Sequence, residues 1–183
     1  KIFGDFLRVL INKGKSEWFY LLNGRVFPGY DVREFGISRQ IVIKALSITY
    51  GVKEEDVVKK LNKIGDAGNL AKELAGKRKQ SVLFKSKLSV ENVFDILRKI
   101  VSYEGKGSIE KKINCISELL NSASDEEAKY IIRTILGDLR IGIAEGILRD
   151  SLAEAFFEGE KEGIVDKIGE KYDMVNDYVL DLR

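Results

Sequence analysis

The residues best suited to a chemical task lie in Arg133-Thr-Ile-Leu-Gly-Asp-Leu-Arg-Ile-Gly-Ile-Ala-Glu-Gly-Ile-Leu148. Gly137 and Gly142 permit a tight backbone path and close approach of another surface. Arg140 stands between them, and a helix starting near Ile143 offers free N–H groups at a positive dipole end. Binding a phosphate, or entry of Arg140 into a minor groove, is the chemistry this pattern fits. A glycine-rich corner between two helices, carrying a surface arginine, fits it equally well. Gly105-Lys-Gly-Ser108, followed by Lys111 and Lys112 one turn later, is a second phosphate-shaped stretch. It lacks the G-x-x-x-x-G-K-[ST] spacing and any preceding strand, so nucleotide binding is not expected there.

Bond-making chemistry has few carriers. The chain has no histidine, which removes Ser-His triads, imidazole bases and the usual zinc sets. Its one cysteine, Cys115, excludes an intrachain disulfide and points to a reducing compartment. Cys115 lies among Ile113, Ile116 and Leu119, where a buried small apolar side chain is expected. No catalytic residue and no metal ligand is assigned.

These candidates need a scaffold, and 183 residues suffice for one domain with a real core. Hydrophobic residues make up 44% and charged residues 33%, the balance of a soluble globular chain without a membrane-spanning run. The net charge of +2 conceals a polarity. Lys and Arg dominate from Gly76 to Lys112, whereas acids lead from Asp150 onward. Such polarity holds a polyanion on one side and repels it from the other, although two solvated helix faces would look the same.

Helical period runs through most of the chain. It predicts helices over 40–50, 90–101, 109–120, 126–136 and 145–157, with Ile41, Ala45 and Ile48 on the first apolar stripe. Ser38, Ser89, Ser108 and Ser124 mark helix starts, and Ser124 with Glu127 forms a capping box. The one proline, Pro28, lies in a turn beginning at Gly24. Little reads as strand, so the fold class is all-α.

A weak repeat organises these helices. Gly36-Ile-Ser38, Glu54-Glu55 and Gly65-Asp66 recur in order as Gly107-Ser108, Glu126-Glu127 and Gly137-Asp138. The shift is about 71 positions for the first landmark and about 72 for the others. The expectation is a compact helical domain of two halves related by a pseudo-two-fold axis, able to touch both strands of a duplex alike.

The segment Leu136–Glu145 resembles the Gly-x-Leu-Arg-x-Gly-x-Ala-Glu stretch in the DNA-binding domain of ATP-dependent DNA ligases. Residues 24–37, Ile64-Gly-Asp-Ala-Gly68 and residues 145–156 resemble the archaeal branch of that family. The match runs in order from about Phe3 onward. With no initiator Met at Lys1, the expectation is one helical DNA-binding domain over 1–183, its first helix shortened. The adenylation and OB-fold domains would be absent. The resemblance implies a grip on nicked double-stranded DNA through minor-groove and phosphate contacts, in replication, repair and recombination. It places Gly137, Leu139, Arg140 and Gly142 against the DNA. Ser108 and Lys111, with Ser38, Arg39, Gly65 and Gly68 in the other half, would approach backbone phosphates. ATP and Mg²⁺ would serve the parent enzyme and neither would bind here. Lys171-Tyr-Asp mimics the adenylated Lys-x-Asp-Gly motif, but Met174 replaces its glycine. That segment reads as a closing helix instead.

Gln80, Leu83 and Phe84 resemble a sliding-clamp docking segment, Gln bonding the rim while the apolar pair fills a pocket. A loop folding Leu83 and Phe84 onto its own core is the other reading. A cytoplasmic monomer is expected. Two rival functions remain, a helical protein-interaction scaffold and a helix-turn-helix regulator that prefers one DNA sequence.

Overall fold

The computed structural model describes residues 9, 17–28, 31–78, 88–140 and 151. The chain divides into two compact units, Lys1–Val32 with Arg140–Arg183, and Arg33–Leu139.

In the first unit, α1 (Glu17–Leu22) ends in a turn where the Arg25 N–H donates to the Tyr20 carbonyl at 2.9 Å. Gly24 takes a φ of 67°, a left-handed conformation that favours glycine, and Tyr20 and Val26 are buried beside the turn. The Gly24–Pro28 segment thus turns as its residues predict.

The second unit holds α2 (Arg39–Tyr50), α3 (Glu54–Ile64), α4 (Ala67–Gly76), α5 (Val90–Ser102), α6 (Ser108–Ser122) and α7 (Asp125–Ile135). No strand occurs among the described residues, and the chain is all-α. Local chemistry sets most boundaries. Ser38, Ser89 and Ser124 cap α2, α5 and α7 with their hydroxyls, each accepting an N–H from three residues on. The Glu127 carboxylate returns the bond to the Ser124 N–H at 2.7 Å and completes the capping box. Gly51 and Gly65 stop α2 and α3 with φ of 64° and 76°. The periodicity did not predict α4. Asp66 starts it by accepting the Asn69 N–H at 2.6 Å, a cap set immediately after the glycine that ends α3.

In the core, α2 packs on α6, α4 on α7, and α5 on α6. Leu46, Leu61, Leu70, Leu97, Ile116 and Ile132 are fully buried there, each contributing about 1.5–3 kcal/mol of hydrophobic stabilisation. Cys115 is buried as expected, and burial pushes its thiol pKa up.

Two local expectations need correction. The buried face of α2 is Val42, Ile43, Ala45 and Leu46, while Ile48 is 58% exposed, because the helix turns its 42–46 side to its neighbours. Lys112 is 8% exposed and does not extend into solvent beside Lys111. It shares a helical face with Cys115, Ile116 and Leu119, at spacings that point it inward.

Candidate nucleic-acid interface

The residues named from the repeat fall at helix ends, where backbone groups lack intrahelical partners. Ser38 is the exposed cap of α2, accepting the Ile41 N–H at 3.4 Å with its own O–H still available to donate. Arg39, the first residue of α2, is exposed and forms no ion pair among the described residues. At α6 the arrangement differs. Gly107 is the cap, with φ of 81° and no side-chain bond to the first amides of the helix. Ser108 follows half-buried, and Lys111 is exposed one turn on, its ammonium 5.5 Å from the centre of the Tyr103 ring. Glu104 and Glu110, both exposed, temper the positive charge of this end.

One buried cation brings these two helix starts together. The Lys112 Nζ donates to the Phe35 carbonyl at 2.8 Å, across 77 positions of sequence. Phe35 stands three residues before Ser38, and Lys112 one residue after Lys111. The approach to α2 is therefore pinned to the start of α6. Gly36 has φ of 57°, and a Cβ there would meet the Lys112 Nζ at 3.1 Å, so glycine suits this close passage.

The ends of α3 and α7 form the second set. Gly65 and Gly137 are exposed, left-handed at φ of 76° and 68°, and a Cβ on either would meet open space. At Gly137 the closure is a Schellman motif. The Gly137 N–H reaches the Thr134 carbonyl at 3.0 Å and the Asp138 N–H the Arg133 carbonyl at 2.9 Å. Leu139 is half-buried.

Gly68 occupies a different environment. It is buried, and a Cβ would lie 2.7 Å from the Arg133 Cγ and 2.8 Å from the Lys129 carbonyl oxygen. Its lack of a side chain serves the contact between α4 and α7. Beside it, Arg133 pairs with Asp66 at 3.2 Å, their side chains 11% and 8% exposed. The Lys72–Glu126 ion pair adds a bond between the same helices, and that hydrogen bond pushes the Lys72 pKa up.

In the first unit, Arg140 is exposed with φ of 48°, a conformation uncommon for a residue with a side chain. Gly142, Gln80, Leu83, Phe84 and Lys171 lie outside the described residues.

Acidic side chains sit at the far ends of the same helices. Glu54, Glu55 and Asp56 open α3, and Asp125, Glu126 and Glu127 open α7, each favourable to its helix dipole. They are separated from Gly65 and Gly137 by a helix length of about 16 Å. The acidic first turn of each helix thus lies away from its glycine end, although Asp66 and Asp138 directly follow the two glycines. The residues that organise this arrangement, Lys112, Asp66 and Arg133, were not among the assigned positions. Only the inward spacing of Lys112 and the Asp66 cap left a local signal.

The comparisons agree with the sequence motifs. A family described as DNA ligase N terminus matches residues 1–153. The chain is 42% identical over 152 residues to a DNA ligase of Thermococcus fumicolans, covering 83% of this chain and 27% of that protein. It is 46% identical over 159 residues to a DNA ligase of Methanosphaera stadtmanae, covering 85% and 28%. A DNA ligase of Nanoarchaeum equitans is 43% identical over 151 residues, covering 82% and 26%. The chain therefore spans about a quarter of the length of these curated relatives.

Proposed function

The chain belongs to the DNA ligase N-terminus family, and from that premise we propose that it holds nicked duplex DNA for a ligase to seal. The bound face comprises the paired starts of α2 and α6 and the glycine turns after α3 and α7. Ser38, Arg39, Ser108 and Lys111 take phosphates, the backbones at Gly65 and Gly137 lie against the sugar-phosphate rails, and Arg140 enters the minor groove. Such contacts carry no base information, so binding is largely indifferent to sequence. The two repeats act as pseudo-symmetric halves, one for each strand.

The observation that carries this reading is the Lys112–Phe35 bond, which pins the approach to α2 to the start of α6. Each of these two helix starts carries an exposed cation, Arg39 or Lys111, while the acidic first turns of α3 and α7 stand a helix length from the glycine turns. A scaffold has no need of that sorting.

The whole enzyme, in this reading, uses ATP and Mg²⁺ to activate the 5′-phosphate and join it to the 3′-hydroxyl in replication, repair and recombination. Among the described residues no cluster of three His, Cys, Asp or Glu side chains is placed to hold a metal, and no step of the DNA grip runs through either group. No helix among the described residues is long and apolar enough to cross a membrane. Clamp docking through Gln80, Leu83 and Phe84 is a further part of the proposal, resting on sequence alone.

Titrating a nicked duplex and a nicked duplex of unrelated sequence at about 50 and about 200 mM salt tests the reading. The expected outcome is similar affinity for both and a loss of about ten- to fortyfold at the higher salt, as two or three cationic contacts require. Absence of binding would favour the scaffold, and strong preference for one sequence would favour the regulator.

A further inference from the structure

Arg133 touches both glycine turns, one through its backbone and the other through its side chain. Its carbonyl accepts the Asp138 N–H at 2.9 Å, the bond that closes the turn at Gly137. Its guanidinium lies 3.2 Å from one carboxylate oxygen of Asp66. The other carboxylate oxygen accepts the Asn69 N–H at 2.6 Å and starts α4 immediately after Gly65. The stem of Arg133 passes under the first turn of α4, where only glycine at position 68 leaves room for it. The pair is nearly buried, so its charges are poorly screened and hold their geometry at salt concentrations that dissolve surface pairs.

We propose that Arg133 is a positioning residue that locks the Gly65 and Gly137 turns to each other, so that both meet one duplex at a fixed spacing. The proposal rests on the DNA-holding reading and adds a requirement to it. The turns lie 72 positions apart and come from different repeats, so without a rigid link each would engage DNA separately. With the link, seating one turn places the other, and the ordering cost of the second contact is met on folding rather than on binding. Arg133 does not itself reach the phosphates, because its charged end is committed to Asp66.

The test compares the unaltered chain with Arg133→Met, Asp66→Asn and the double variant. Asp66→Asn keeps an oxygen for the α4 cap while removing the charge, so it reports even if Arg133→Met fails to fold. Circular dichroism first establishes the folded fraction. Affinity for a nicked duplex is then measured from about 50 to about 200 mM salt. The expected result is that folded Asp66→Asn binds about tenfold more weakly at each salt concentration, with its salt slope little changed because the turns carry no cation. The folded double variant should lose no more than the worse single one, since both remove the same link. A merely structural role would lower the melting temperature and leave the affinity of the folded protein unchanged, and that result overturns the proposal. If the unaltered chain itself shows no salt-dependent binding, the DNA-holding reading fails and takes this inference with it. Binding by the unaltered chain with unchanged affinity in the folded variants overturns the coupling alone.

Discussion

The helices of the second unit are joined at two places, and the joints use different chemistry. Where α4 meets α7, backbone approaches side chain at Gly68, and a cation meets a full carboxylate in the Arg133–Asp66 pair. Where the approach to α2 meets α6, a buried cation meets only a carbonyl, in the Lys112–Phe35 bond. The first joint fixes two helices and tolerates no change in volume. The second fixes an extended segment leading to a helix start. The difference teaches that the glycine turns are held by the stiffer joint and the cationic helix starts by the softer one.

Substitutions should rank the joints in that order. Asp66→Ala strands the Arg133 charge and removes the α4 cap, and should cost about 3–5 kcal/mol in urea unfolding. Gly68→Ala forces its methyl against the Lys129 carbonyl and should cost about 1–3 kcal/mol by the same measurement. Lys112→Met keeps the apolar stem but leaves the Phe35 carbonyl without its donor, for about 1–2 kcal/mol. If Lys112→Met proved costlier than Asp66→Ala, the ranking of the joints would be reversed. Gly65→Ala and Gly137→Ala meet no obstruction, only a left-handed backbone, and each should cost about 1 kcal/mol.

Tyr50 provides the smallest effect and a control away from both joints. Its hydroxyl is buried without a partner, and burial pushes its pKa up to about 12, against a lowering influence from Arg78. A phenol whose folded pKa exceeds its unfolded value near 10 stabilises fully below pH 10 and loses that contribution as pH rises towards 12. Tyr50→Phe should leave stability at pH 7 nearly unchanged and flatten the decline in melting temperature between pH 10 and 12. An unaltered alkaline decline would show that Tyr50 is not its source.

Much of the fold was legible because its signals are local. The Ser38, Ser89 and Ser124 caps act over three residues, and the 3.6-residue period of α5, α6 and α7 shows in their apolar positions. α4 escaped notice because a ten-residue helix starting straight after Gly65-Asp66 leaves only a short periodic stretch. The candidate site was legible in its outward parts, Ser38, Arg39, Gly65, Lys111 and Gly137, since exposed ends follow from helix boundaries. Its internal ties were not. The partners of Arg133 and Lys112 lie 67 and 77 residues away, and single-sequence patterning carries no information over that separation. The burial of Gly68 was not legible for the same reason, since it depends on α7.

The cationic helix starts offer the most direct test of DNA holding, because Arg39 and Lys111 are exposed and their removal should leave the fold intact. The decisive measurement is the salt slope of nicked-duplex binding by the Arg39→Ala, Lys111→Ala double variant. The slope should become shallower by about two, one for each lost phosphate contact, with an unchanged melting temperature and the same loss on unrelated sequences. A slope equal to that of the unaltered chain would mean that these two residues face no phosphate, and the interface would have to lie elsewhere.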